Sequence, residues 1–122
     1  IKWIATGVEV IQTSFALPAD FDDTAVATLD LWVLTDNTGG GGIDAATFTV
    51  NTTWDNGTQI VDTATDSVPA TTVHKITATI AAADIPTGCQ FVNIQLVPAA
   101  HANDPTHLMA ARLNFTRTVT AT

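Results

Sequence analysis

Polar and apolar residues alternate with a period of two along most of this chain, a pattern that predicts β-strands. Trp3 to Ser14 reads as one or two strands interrupted near Gly7, followed by a turn-rich stretch from Leu17 to Asp23. Val26 to Thr35 places Leu29, Leu31 and Val33 on one face, with Asp30 and Trp32 on the other. Residues 36–44 (DNTGGGGID) read as a flexible loop. Thr47 to Trp54 sets Phe48, Val50 and Trp54 against Thr47, Thr49 and Thr53, and the Asn56-Gly57 pair that follows signals a hairpin turn. Gln59 to Val68 is a weaker run of edge-strand character. Thr72 to Ile80 is stronger, with His74, Ile76, Ala78 and Ile80 on one face. Ala81 to Asp84 fits one helical turn, and Ile85 to Gly88 turns the chain. Cys89 to Val97 directs Val92, Ile94 and Leu96 to one side. Ala99 to Thr106 is a polar loop, and Leu108 to Val119 closes the domain with Met109, Ala111, Leu113 and Phe115 inward.

Seven or eight short, evenly spaced strands without an amphipathic helix predict an all-β fold, a two-sheet antiparallel β-sandwich. A jelly roll is the first expectation and an immunoglobulin-like sandwich the second, since the Cys–Trp–Cys hallmark of the latter is missing. Length agrees: 122 residues suit one domain over residues 1–122, large enough for a core without staples.

Residue usage sharpens the β reading. There are twenty-three Thr, and eleven of the twelve acids are Asp. Thr suits a pleated surface and Asp suits turns, whereas one Glu and two Lys leave little to coat a solvated helix. The net charge of −8, with Lys2, Lys75, Arg112 and Arg117 scattered, argues against nucleic acid as a partner. No apolar run reaches the ~20 residues that a helical membrane span needs, so no membrane partner is expected. The opening IKWIATGVEV lacks the order of a signal peptide, and a start on Ile1 suggests that a few residues once preceded it.

Candidate chemistry is sparse. Asp20, Asp22 and Asp23 cluster, and Asp36, Asn37 and Asp44 flank the glycines, but no loop has calcium-ligand spacing. His101 and His107 bracket a loop with Asp104, in an irregular segment instead of the regular element that metal-binding pairs favour. His74 fits a satisfied core or interface position, and the lone Cys89 fits a small buried hydrophobe. No nucleophile elbow and no Glu pair is present, so neither an enzyme nor a cofactor is expected. Trp3, Trp32 and Trp54 suit core positions more than a sugar-stacking platform, except Trp32, which stands beside Asp30 and away from Leu29, Leu31 and Val33. With Leu34 it makes one strand apolar on both faces, the pattern of an interface.

The C-terminal third carries a resemblance. Phe91 to Val97, Asn103-Asp104, Leu108, Ala111-Arg112-Leu113 and Phe115 together resemble the closing hairpin of small phage virion structural proteins. Residues 83–88 and the segment from Trp54 to Asp62 fit as well, so that about half the chain is covered. The resemblance implies a jelly-roll decoration or cement protein on the outer capsid surface, with itself (a dimer or trimer) and the major capsid protein as partners. A fibre-associated receptor- or carbohydrate-binding domain is the alternative. The expected interface residues are Trp3, Trp32, Leu34, His101 and His107.

Overall fold

In the computed structural model, which describes residues 2–3, 10–35, 43–55, 57–69, 72–99 and 105–119, eight strands form two antiparallel sheets. They are β1 (Lys2–Trp3), β2 (Ile11–Ala16), β3 (Ala27–Thr35), β4 (Ile43–Trp54), β5 (Ile60–Pro69), β6 (His74–Ile80), β7 (Phe91–Pro98) and β8 (Thr106–Asn114). The first sheet has the order β1-β8-β3-β6 and the second β2-β7-β4-β5. The pairings β1·β8, β2·β7, β3·β6 and β4·β5 are nested, first strand with last and so inward to the central hairpin. This order differs from that of an immunoglobulin-like sandwich, the second expectation.

Alternation explains the layering, because a strand that packs one face against the partner sheet must put every second residue there. Leu29, Leu31 and Val33 of β3 and Phe48, Val50 and Trp54 of β4 meet Ile76, Ala78 and Ile80 of β6 and Val92, Ile94 and Leu96 of β7, all buried. Cys89 is buried beside them. The expected helical turn is a 3-10 turn at Ala82–Asp84, among described residues the chain's only helical element. The hairpin around residues 55–59 is present, with Asp55 in the left-handed region at φ 47°. Asp55 is one of the few residue types that tolerate this conformation, and its carboxylate accepts the Gln90 and Phe91 amides at 2.9 and 3.1 Å.

Two expectations need correction. Ile43 and Asp44, assigned to the glycine loop, belong to β4 and pair with Pro69 and Val68. Residues 36–42 lie outside the described set. The second correction concerns β8, where Met109 does not face inward and is 58% exposed, while Phe115 lies beyond the strand's end, 36% exposed and against Phe21. A β-bulge displaces Met109. Trp32 pairs with Ala110 and the adjacent Val33 with Leu108, which leaves Met109 as the extra residue. Leu108, opposite Val33, takes the inward place instead and is buried. Ala111 and Leu113 stand opposite the buried Leu31 and Leu29 and so do face inward. Ala111 is nevertheless exposed.

The turn-rich stretch after β2 closes one end of the sandwich. Phe21 stacks at 6.0 Å on Trp54 and at 5.4 Å on Phe115, a run of aromatic rings. An isolated bridge joins Phe21 to Arg117, and Arg117 Nε bonds Asp20 Oδ2 at 2.7 Å.

Candidate functional site

The outer face of the first sheet holds a buried carboxylate. Asp30 points away from the core, on the Trp32 side of β3, yet it is only 4% exposed. Its neighbours cover it. Thr77 Oγ1 donates to Oδ1 at 2.7 Å, while Asn114 Nδ2 and Arg112 Nη2 donate to Oδ2 at 2.9 Å each. Thr77 and Arg112 stand directly opposite Asp30 on the two flanking strands. The Thr77 and Asn114 hydrogen bonds, then Arg112 and the nearby Lys75 charge, outweigh desolvation and hold the Asp30 carboxyl down to about 2. The Arg112 guanidinium also lies 5.1 Å from the centre of the Trp32 ring, a cation–π contact.

This face gathers three of the five expected interface residues. Trp32 and Leu34 are half-buried neighbours on β3, and His107 stands opposite Leu34 in the register with β8. Trp3 pairs with Thr106 through its backbone, next to this group. His101 and Asp104 lie outside the described residues. The face is apolar in part but not bare, since Arg112 covers Trp32. Trp54 belongs to the core.

The two long sides of the sandwich differ. On one, the edge strands β5 and β6 approach each other, and His74 Nε2 meets Asp66 Oδ2 at 2.9 Å across the gap between sheets. That bond, seconded by the Ser67 amide, lowers the Asp66 carboxyl below its usual range. Asp62 and Asp66 occupy the inward registers of β5 that Ala64 and Val68 share, and inward-pointing charges are a known guard of sheet edges. Burial, then the charge of Asp84, pushes the Asp62 carboxyl up.

On the other side, β2 and β8 leave an apolar trough of about 180 Å³, lined by Ile11, Phe15, Ile94, Leu96, Leu108 and Ala111 among others. This opening is why the inward-facing Ala111 is exposed. Among the described residues, β8 from Met109 to Asn114 pairs with β3 alone. Among the described residues, no charged side chain lines this trough. Sequence reading missed it, because its signal is a relationship between strands 80 or more residues apart. The only local clue was the absence of charge in IQTSFA.

The acidic cluster resolves into separate tasks. Asp20 pairs with Arg117, Asp22 accepts the Thr24 amide and hydroxyl at 3.0 and 2.6 Å, and Asp23 accepts the Gly88 amide at 2.6 Å. Gly88 has φ +71°, a conformation that only glycine adopts freely. Among the described residues no group of three or more His, Cys, Asp or Glu converges as a metal site would require. Burial, then the charges of Asp55 and Asp23, raises the Cys89 thiol. Protein-family models, curated proteins and solved structures give no match to this chain.

Proposed function

We propose that this chain is a non-enzymatic virion structural protein, a capsid decoration or cement protein that docks on the outer surface of a phage capsid and stabilises it. The observation that carries the reading is the contrast between the two sides of the sandwich. One is closed and guarded by Asp62, Asp66 and the His74–Asp66 bridge; the other is, among the described residues, an apolar trough without a charged lining, beside the edge of β8 from Met109 onward that no described strand covers. A strand of the major capsid protein laid along β8 would gain main-chain hydrogen bonds and bury alternate side chains in the trough.

The nested pairing of strands supports the jelly-roll reading, since it is the order of one long hairpin wound on itself. That architecture recurs in viral capsid and lectin domains. Trp32, Leu34 and His107 supply a second, partly apolar face for contact between copies. Copies repeated over a symmetric shell turn modest contacts into firm attachment. With a net charge of −8 opposing self-association, those contacts are apolar at the centre and weakly salt-dependent.

The test is to count this chain on purified particles of the virus whose genome encodes it and to locate it in their density map. A fixed copy number on the outer shell, and particles that open at lower temperature without it, are expected. A chain absent from particles overturns the proposal.

A further inference from the structure

The chain carries a net charge of −8, yet its charges avoid one large surface. Among the described residues the outward positions of β2, β4, β5 and β7 bear no charged side chain, and Asp55, in the β4–β5 turn, is engaged by the Gln90 and Phe91 amides. Asp62 and Asp66 point inward from β5, while Asp30, Lys75 and Arg112 belong to strands of the first sheet. In place of charge stand amides and hydroxyls in cross-strand rows. Gln12, Gln95 and Asn51 form one row over β2, β7 and β4, and Ser14, Asn93 and Thr53 form the next. Thr47 and Thr65 extend the same chemistry, with their hydroxyls 2.7 Å apart.

The amides are already oriented. Gln95 Oε1 accepts Asn51 Nδ2 at 2.9 Å and Gln59 Nε2 at 3.4 Å, and Asn93 Nδ2 donates to Ser14 Oγ at 2.9 Å. Gln95 therefore offers its N–H donors and Asn93 its carbonyl oxygen, while Gln12 offers both kinds of group. These side chains line a shallow depression of about 410 Å³ with Thr53, Gly57 and Gln59. Phe91, two residues before Asn93 on the same face of β7, is 38% exposed beside it.

The chemistry selects the ligand by elimination. A phosphate or other anion needs cations, which this face lacks. A metal needs carboxylate, imidazole or thiolate ligands, which the described outward positions also lack, and a lipid needs apolar walls. Paired donors and acceptors without charge match a molecule dense in neutral hydroxyls, and an exposed aromatic ring matches the C–H face of a sugar. We propose that the outer face of the second sheet binds an uncharged glycan, laid across Gln12, Gln95 and Asn93 with a sugar ring against Phe91. This site is on the opposite layer from the Trp32 face and stands whether or not the chain decorates a capsid.

The experiment is a titration of isotope-labelled protein with maltohexaose, cellohexaose and mannohexaose, followed by NMR, with hexagalacturonate as the charged control. Saturable shifts of the Gln12, Asn93 and Gln95 side-chain amides with at least one neutral hexasaccharide are expected. Gln95→Ala should weaken that binding about tenfold or more, while Trp32→Ala leaves it unchanged. If Gln95→Ala does not fold, Gln12→Ala on the edge strand serves instead. Four outcomes overturn the proposal. They are no shift with any neutral hexasaccharide at roughly 10 mM, which excludes even millimolar affinity; equal binding of hexagalacturonate; shifts centred on Trp32 and Arg112; or Gln95→Arg splitting an oligomer in light scattering, which would assign the face to a second copy.

Discussion

Asp30 and Arg112 stand directly opposite one another on β3 and β8, joined Nη2 to Oδ2 at 2.9 Å. The pair is lopsided: the Asp30 side chain is 6% exposed and that of Arg112 59%. The acid depends on its partners, whereas the base can be solvated without them.

That asymmetry predicts unequal mutational costs. Asp30→Asn exchanges an acceptor of three hydrogen bonds for a group that brings its own donors, and should cost about 1–3 kcal/mol at pH 7. Arg112→Ala should cost about 1 kcal/mol or less, as exposed pairs do. The Asp30 carboxyl is held down to about 2, below its unfolded value near 3.9, so its contribution is complete above about pH 4 and is lost as pH falls towards 2. Urea unfolding at pH 7, 4 and 2 checks this: the gap between wild type and Asp30→Asn should narrow in acid, and a constant gap would count against the assignment.

Asp62 predicts the opposite sign. Its Oδ2 is buried without a hydrogen-bond partner among the described residues, and burial raises its carboxyl above the usual range. Ionisation therefore opposes folding at neutral pH, and the penalty is relieved as pH falls through the raised value. Asp62→Asn should stabilise the domain at pH 7 by about 0.5–2 kcal/mol. Calorimetry should show a higher Tm at neutral pH and no advantage in acid, where the wild-type side chain is protonated.

The bulge yields a third prediction. Deleting Met109 should be tolerated, because Leu108 and Ala111 keep their inward places when the extra residue is removed. The cost should stay within about 1–2 kcal/mol. Deleting Gln95 from β7 shifts half of a central strand by one residue and sends buried side chains to the wrong face. That variant should fail to fold. Circular dichroism and thermal melts distinguish the two.

A fourth prediction concerns the open side. Thr13→Lys and Ala111→Lys place charges at exposed positions lining the trough, in imitation of the guards that natural edges carry. Stability should change by no more than about 0.5 kcal/mol, as is usual for surface substitutions. On the proposed capsid-decoration role, occupancy on particles should fall sharply, and a double variant that still fills every site would exclude the trough as the docking surface.

Much of the sandwich was legible because alternation is a local property: β3, β4, β6 and β7 bury the side chains that their spacing selects. Failures came where a partner strand decides. Nothing local in HLMAARLNF signals a bulge, since its location depends on where Trp32 and Val33 lie across the sheet. Asp30 was placed on the outer face correctly, but its burial arises from Thr77 and Asn114, distant in sequence and adjacent in space. The grouping of Trp32, Leu34 and His107 was partly visible, through the apolar character of β3 on both faces. The amide rows were invisible for the same reason as the trough: Gln12, Asn51 and Gln95 become neighbours only once three strands are in register.

The nested pairing also sets the order in which this chain can acquire its structure. β4 and β5 are joined by a short turn, so their hairpin closes a small loop at low entropic cost. Each pair further out joins more distant segments, ending with Lys2 and Trp3 against His107 and Thr106, near the two ends of the chain. Topologies dominated by such distant contacts fold slowly, on the millisecond-to-second scale. β8 pairs along its length with β3, itself a distant closure, so its apolar trough is among the last surfaces to be assembled. A newly made chain would expose Leu108, Ile94 and Leu96 for longest, and in a crowded cell early occupation of that side would protect it from wrong partners.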